Sequence, residues 1–199
     1  LELPSIAGAT ASLTWMNLAG NCLTAVPGIQ GCTNLKELCL AGNLFSDVDD
    51  VIGGLYNLRR LDLSRNYISV LPDLSHLRQL EELAIESNAV RTLQAVGNVP
   101  SLKRLFASDN QIHAAWEVFH LRTLPELEVL DLDGNGLTSR EDFRYFVVYH
   151  LDALAVLDGA VVDADLVKSA WQRFDSKLSI DLLVDLKGEA NLQEMTQLE

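Results

Sequence analysis

Residues 35–45 read Leu35-Lys36-Glu37-Leu38-Cys39-Leu40-Ala41-Gly42-Asn43-Leu44-Phe45. Apolar residues lie eight, five and three positions before Asn43 and two positions after it. The same arrangement recurs around five other asparagines, Asn21, Asn66, Asn88, Asn110 and Asn135. Consecutive asparagines are 22, 23, 22, 22 and 25 residues apart. A period of this length predicts a stack of similar units, each supplying one layer of a shared core.

Each copy predicts one short strand bounded by turns. Because alternate side chains on a strand point in opposite directions, Leu38 and Leu40 should face the core. Glu37, Cys39 and Ala41 should then face outward. The amide of each asparagine can bond backbone groups of the neighbouring copy, which would otherwise be buried without partners. We therefore expect an asparagine ladder, in a stack that curves with its strands on the concave side.

The rest of each unit, about a dozen residues, must form the convex side. That length is too short for a long helix and two turns. Apolar residues recur every third position in residues 48–51, 71–77 and 93–99, which predicts 3₁₀ turns or single helical turns. The longer copy, which ends at Asn135, leaves room for a helical segment around Trp116–Leu124.

The repeated pattern resembles that of leucine-rich-repeat proteins, over about residues 13–160. The resemblance implies an α/β fold: a curved right-handed solenoid with a parallel concave sheet, a convex side of short 3₁₀ or helical segments, and a helical C-terminal cap. Proteins of this class hold other proteins and rarely carry out catalysis. The resemblance therefore implies a non-catalytic interaction module.

The segment after Asn135 predicts a cap for the open end of the stack. Ser139 with Asp142 three residues later favours a helix start, because acids are favourable near the positive end of a helix. The predicted apolar face of that helix comprises Phe143, Phe146, Val147, His150 and Leu151. Residues 154–159, Leu-x-x-Leu-Asp-Gly, follow as a last, incomplete strand. Helix and strand would cover leucines that a solenoid otherwise exposes at its end.

Residues 142–159 also resemble the cap of one leucine-rich group with the same 22-residue period. Its members include a nuclear regulatory subunit of protein phosphatase 1, outer-arm dynein light chain 1, a spliceosomal A-prime protein and ciliary leucine-rich scaffolds. Residues 110–135 are similar to the long repeat of dynein light chain 1 and of ciliary scaffolds, and residues 174–183 to a segment of those scaffolds. The chain lacks the acidic tail of the group's acidic nuclear phosphoproteins, and nothing in it indicates the RNA-binding partner of the spliceosomal member.

We expect a solenoid over residues 1–160, with its cap at about 139–160, and a helical extension over residues 161–199. Asp163 or Asp165 can start a first helix and Ser179 a second. Apolar residues at helical spacing are Val167, Ala170, Trp171, Phe174 and Leu178 in the first, and Ile180, Leu183 and Val184 in the second. The first helix is expected to pack on the end of the solenoid. For the second, packing and docking of a partner both stay open.

Composition narrows the partners and the location. The formal net charge of −13 argues against nucleic acid as a partner, since binding there depends on lysine and arginine. No apolar run reaches the ~18 residues that span a membrane, and no secretory leader is visible. Cys22, Cys32 and Cys39 lack the pairing typical of extracellular caps. We predict a cytoplasmic protein, with cilium, flagellum and nucleus left open. The start at Leu1 favours a segment of a longer protein, with proteolytic processing as the alternative.

Catalytic and metal-binding motifs are not apparent in the sequence. The four histidines lack ligand spacing, and there is no nucleophile motif or glycine-rich phosphate loop. Residues 131–142 imitate a calcium loop, with Asp131, Asp133 and Asn135 at ligand positions. These residues already serve the repeat, and no helix is predicted before them. We expect no enzyme activity, no cofactor and no metal.

The outward residues of the strands form the candidate binding site. It comprises Trp15, Glu37, Arg60, Asp62, Glu82, Glu86, Arg104, Phe106 and Asp131. We expect Trp15 and Phe106 to be exposed, and aromatic and arginine side chains commonly anchor interfaces. Cover by missing N-terminal sequence or by a C-terminal helix is the alternative. Arg60, Glu82 and Arg104 lie in a line across adjacent strands, where they can neutralise one another.

The predicted function is therefore to hold another protein on the concave face. One alternative is a regulatory subunit of protein phosphatase 1. The other is a structural domain of a larger ciliary or flagellar scaffold associated with dynein or microtubules. The matching partners would be a phosphatase, dynein or an axonemal component, and the sequence does not separate them.

Overall fold

The computed structural model describes residues 12–174, which form one open sheet with short helical segments behind it. The strands are β1 (Trp15–Asn17), β2 (Glu37–Cys39), β3 (Arg60–Asp62), β4 (Glu82–Ala84), β5 (Arg104–Phe106), β6 (Val129–Asp131), β7 (Val156–Leu157) and β8 (Ala160–Val161). Strands β1 to β7 pair in parallel in chain order, and β8 turns back antiparallel on β7. The curved right-handed solenoid with a parallel concave sheet is confirmed.

The inward residue of each strand builds one continuous core. In register across the sheet lie Leu38, Leu61, Leu83, Leu105 and Leu130, each at most 2% exposed. Because every copy places its leucines at the same positions, each layer packs on the layers before and after it. Burial of one such leucine contributes roughly 1.5–3 kcal/mol. The core therefore runs the length of the stack.

The predicted asparagine ladder is confirmed, and Asn66 illustrates its geometry. Its Nδ2 donates to the carbonyls of Leu63 in its own copy at 3.0 Å and of Leu40 in the preceding copy at 3.1 Å. Its Oδ1 accepts the N–H of Phe45 at 3.1 Å. The same set of bonds recurs at Asn43, Asn88, Asn110 and Asn135. Among residues 12–174, exposed Asn21 donates to carbonyls of its own copy alone, at Leu18 and Ala19.

The residue before each ladder asparagine adopts a left-handed backbone conformation. These residues are Gly20, Gly42, Arg65, Ser87, Asp109 and Gly134, with φ between 53° and 72°. The turn out of each strand requires this conformation, which glycine adopts without cost. In three copies a residue with a side chain occupies the position, at a cost of about 1–2 kcal/mol. The apolar spacing of the repeat does not by itself predict this corner.

The convex side consists of short helical segments, as predicted. They are 3₁₀ helices at Ile29–Gly31, Val96–Asn98, Ala115–Thr123 and Gly136–Ser139, and the single α-helical turn α1 at Asp49–Ile52. The segment expected around Trp116–Leu124 is thus a 3₁₀ helix. Residues 71–77 contain one such turn, in which the N–H of Leu77 donates to the carbonyl of Leu74 at 2.9 Å, and no longer helix. The carboxylate of Asp73 accepts the N–H and hydroxyl of Ser75 at 2.9 and 2.7 Å, and such local bonds compete with a helix.

The cap consists of helix α2 (Phe143–His150) and strand β7. Four of its predicted apolar residues, Phe143, Phe146, Val147 and Leu151, are buried, while His150 is half-buried. The predicted helix start at Ser139 is wrong, because Ser139 ends a 3₁₀ turn and donates to the carbonyl of Gly136. Asp142 lies at the helix start but forms an ion pair with Arg173 instead of a side-chain cap.

Helix α3 (Ala164–Phe174) packs on α2, as expected for the first extension helix. Asp163 starts it by accepting the N–H of Leu166 at 2.8 Å. Of the predicted apolar face, Ala170 and Phe174 are buried, whereas Val167 and Trp171 remain 36% and 46% exposed. Leu178 and the second helix predicted from Ser179 lie outside the described residues. The division at residue 160 remains a prediction.

Candidate functional site

Strand register places the candidate residues in two rows across the concave face. The first row is Trp15, Glu37, Arg60, Glu82, Arg104 and Val129. The second row is Asn17, Cys39, Asp62, Ala84, Phe106 and Asp131. Glu86, the remaining candidate, follows two residues after Ala84. The fold thus brings all nine predicted residues onto one face, and their role in binding stays a prediction.

Ion pairs link neighbouring strands in the first row. Arg104 Nε lies 2.7 Å from Glu82 Oε2, and Arg60 Nη1 lies 3.4 Å from Glu37 Oε1. The expected line of Arg60, Glu82 and Arg104 is therefore split, since Arg60 pairs with Glu37 on the other side. Both pairs are partly open to solvent, where such pairs contribute about 0–1 kcal/mol. They neutralise the row more than they stabilise the fold.

Carboxylates of the second row are oriented by neutral donors. Asp62 accepts the backbone N–H of Ser64 at 3.0 Å, and the Cys39 thiol donates to it at 3.4 Å. Asp131 accepts the backbone N–H of Asp133 at 3.1 Å. Burial, with the nearby charge of Asp62, raises the pKa of Cys39. That thiol therefore stays protonated and is a poor nucleophile.

The two aromatic candidates differ in exposure. Trp15 is 58% exposed at the N-terminal end of the first row, as expected. Phe106 is half-buried, so its ring is less exposed than expected. Its in-register neighbours are Ala84 and Asp131. Phe106 therefore forms the partly covered apolar centre of the second row.

Two open depressions follow the concave face. A small one of about 150 Å³ lies between Trp15, Cys39 and the charged residues of the first row. A larger groove of about 500 Å³ runs along the left-handed corners after the strands; its charged and hydroxyl lining is Asp62, Ser64, Arg65, Glu86, Ser87, Ser108 and Asp109. The alternation of residues along the strands did not predict that the corner residues line a groove. The position before each ladder asparagine is the signal that could have revealed them.

The calcium-loop resemblance does not fit the geometry. Asn135 Oδ1 accepts the N–H of Ile112 at 3.0 Å, and its Nδ2 donates to the carbonyls of Ala107 and Leu132, each at 2.8 Å. Its side chain is thus committed to the ladder. Among residues 12–174, no group of three potential metal-ligating side chains lies together. Over the same residues, no helix is long and apolar enough to cross a membrane.

Two titratable groups with shifted pKa values lie in the cap. Burial, together with the nearby charge of Arg122, lowers the pKa of His150 to about 4. Rings of Phe119, Phe146 and Tyr149 surround it, with centroids 4.6–5.0 Å from its own. Burial raises the pKa of Asp158, which accepts the N–H of Leu132 at 2.8 Å. His150 thus lies among the rings of the cap, whereas Asp158 lies near Asp131 and Asp133, whose charges also raise its pKa.

Solved structures with the same architecture include an internalin of Listeria monocytogenes, at 19% identity and a TM-score of 0.61, covering 78% of this chain and 51% of the internalin. The Drosophila melanogaster SNF/U2A' complex contains a chain at 19% identity and a TM-score of 0.58, and the match covers 86% of this chain and 87% of that chain. A leucine-rich repeat protein of Leptospira interrogans is 23% identical, with a TM-score of 0.55. The match covers 71% of this chain and 42% of that protein. The chain thus spans about half the length of that internalin. Such identities show the fold alone.

The repeat itself gives the family. Residues 15–187 match the leucine-rich repeat family, over most of the chain. The observed sheet, the buried leucines and the asparagine ladder are what that repeat encodes. The chain therefore belongs to the leucine-rich repeat family.

Proposed function

We propose that this chain is a non-catalytic module that holds a partner protein on its concave face. Leucine-rich repeat proteins generally mediate protein–protein interaction, and the family assignment supports that class of function. The observation that carries the proposal is the arrangement of the concave face. Trp15, Phe106 and two arginines lie in rows on one face of the sheet.

Those side chains are of the types that anchor interfaces. Aromatic and arginine residues are enriched among the few that contribute most binding energy, and they act best when a partner excludes water from them. Trp15 exposes 58% of its surface, which water solvates poorly. Arg104 is held by Glu82, so a partner meets a positioned guanidinium.

The partner is proposed to be a protein and not a nucleic acid. The net charge of −13 opposes a phosphate backbone, and both arginines of the first row already pair with glutamates. The SNF/U2A' complex contains a chain of the same fold, which supports the idea that such a solenoid can enter a protein complex. At 19% identity its partner is not transferred to this chain.

The alternatives remain a regulator of protein phosphatase 1 and a domain of a ciliary or flagellar scaffold. Both come from the resemblance of the cap, whose helix and strand are present at residues 143–157. A cytoplasmic location, with cilium, flagellum or nucleus open, belongs to the same proposal. Phosphatase subunits among captured proteins would favour the first alternative, and dynein, tubulin or axonemal proteins the second.

Affinity capture from cell extract, read by mass spectrometry, tests the proposal. The bait is the wild-type chain or a Phe106→Glu, Arg104→Glu double variant. A matched control, Tyr56→Glu with Arg78→Glu, makes the same charge change at exposed residues outside the two rows. Circular dichroism checks that both variants fold. Proteins lost only with the concave variant support the proposal, whereas proteins retained equally by all three baits contradict it.

A further inference from the structure

The concave face has two halves of different charge. In the first row both arginines pair with glutamates, so that row is internally neutralised. We call the other side the acidic half, which comprises Asp62, Glu86, Asp131 and Asp133. Among the described residues, no ion pair within 4 Å reaches these four carboxylates. Their negative charge is therefore not compensated from within the solenoid.

Hydrogen bonds hold these carboxylates without neutralising them. Asp62 accepts a backbone N–H and a thiol, and Glu86 accepts the hydroxyl of Ser64 at 2.9 Å. Asp131 and Asp133 each accept a backbone N–H. Because these donors are neutral, they orient the carboxylates without offsetting their formal negative charge. Arg65 and Asp109 also line the adjacent groove, and they carry charges of opposite sign.

An apolar centre separates two of the acids. In register across strands β3 to β6 lie Asp62, Ala84, Phe106 and Asp131. The small Ala84 leaves room beside the half-buried ring of Phe106. With adjacent strands about 4.8 Å apart, the two acids stand about 14 Å from each other. The row thus reads acid, small, aromatic, acid.

We propose that the occupant of this face is a basic segment of a partner protein. It places an apolar side chain over Ala84 and Phe106, and a lysine or arginine at each of Asp62 and Asp131. A distance of about 14 Å needs about four residues of extended chain or about ten of helix. An acidic segment is rejected, because like charges meeting across an interface are costly. This inference rests on the proposed function and names the chemistry of its partner.

Selection of binders from a displayed library of random peptides tests this inference. The peptides are about twelve residues long, so that either an extended chain or a helix can span the row. The bait is the full chain. An enriched peptide is then synthesised, and its affinity is measured by fluorescence anisotropy against the wild type and an Asp62→Asn, Asp131→Asn variant. The control is Asp49→Asn with Asp50→Asn, which makes the same charge change on the exposed residues of α1, on the convex side.

We expect enriched peptides that carry lysine or arginine on both sides of an apolar residue. Affinity should fall about tenfold in the concave variant and with rising salt, and change less than about twofold in the control. Peptides without basic residues, no enrichment, or equal loss in both variants would overturn the inference. Non-basic peptides lost to Phe106→Glu would leave the proposed function standing. Basic peptides unaffected by every concave substitution would contradict both.

Discussion

Asn66 provides hydrogen-bond partners for backbone groups beyond its three-residue strand. Its one side chain bonds an N–H and three carbonyls in two successive copies, at distances of 3.0–3.1 Å. The site is buried, with Asn66 only 6% exposed. Water cannot replace these bonds there, so the ladder converts a short sequence motif into a link between layers.

Replacing Asn66 by alanine should destabilise the fold by about 2–4 kcal/mol, because buried backbone groups lose their partners. The matched substitution Asn21→Ala should cost less than about 1 kcal/mol, since Asn21 is exposed and its carbonyl partners among the described residues belong to its own copy. Urea denaturation followed by circular dichroism measures both. Equal losses at the two positions would show that the ladder does not link copies energetically.

Arg65 carries a conformational cost at the corner of its copy. Its φ is +56°, in the left-handed region that side chains disfavour. Arg65→Gly should therefore stabilise the fold by about 1 kcal/mol. Arg78→Gly, at an exposed turn position without a positive φ, should destabilise it instead. Thermal and urea unfolding measure the sign, and destabilisation at both positions would contradict the strain argument.

At the scale of elements, the cap joins three segments around aromatic rings. The ring centroids of Phe119 from the long copy and Phe146 of α2 are 5.6 Å apart, and those of Phe146 and Phe174 of α3 are 6.0 Å apart. An ion pair between Arg173 and Asp142 lies at the same junction. Helix α3 therefore stabilises the closure that α2 begins. Apolar packing does most of this work, because the ion pair is nearly half exposed.

His150 should make this cap sensitive to acid. Its pKa falls from 6.5 to about 4 on folding, so between these values the unfolded chain binds a proton that the folded chain does not. Its stabilising effect is complete above pH 6.5 and is lost as pH falls towards 4. The expected loss is on the order of 2–3 kcal/mol.

Urea denaturation at several pH values checks this sign in wild type and His150→Phe. The free energy of unfolding of the wild type, minus that of the variant, should increase by about 2–3 kcal/mol as pH rises from 4 to 6.5, because the phenylalanine ring cannot be protonated. His113→Phe, at an exposed histidine, serves as the control and should follow the wild type. A constant difference across the whole range would show that His150 is not excluded from protonation by the fold.

For the whole molecule, stability is distributed along one dimension. Each layer packs on its two neighbours, so a central layer has more to lose than a terminal one. Leu83 in β4 is fully buried, whereas Met16 in β1 is partly buried and, among the described residues, lies in the first strand. This difference should appear in the free energy of unfolding.

Leu83→Ala should destabilise the fold by about 2–5 kcal/mol, and Met16→Ala by less than about 1.5 kcal/mol. The first change leaves a cavity between packed layers, while the second lies at an end that solvent already reaches. Urea unfolding monitored by circular dichroism gives both values. A larger effect at Met16 would mean that the N-terminal layer, and not the centre, governs stability.

The repeat by itself determined the backbone architecture. Apolar residues at constant distances from each asparagine require strands in register, and a buried amide must find backbone partners in the next copy. Leu83 and Asn66 therefore occupy the places predicted for them. The nine candidate residues follow from the same logic, since alternation along a strand places them outward.

Tertiary structure alone decided the remaining features, because they depend on contacts between copies. Arg60 could pair with a glutamate on either side, and side-chain geometry selected Glu37. Neighbouring strands set the half-burial of Phe106. Side-chain bonds of Asp73 to Ser75 accompany the single turn to which residues 71–77 are limited. A repeat period specifies the position of each residue in its strand. The exposure of the side chain, its charge partner and the local backbone strain result from three-dimensional packing, which a one-dimensional pattern does not contain.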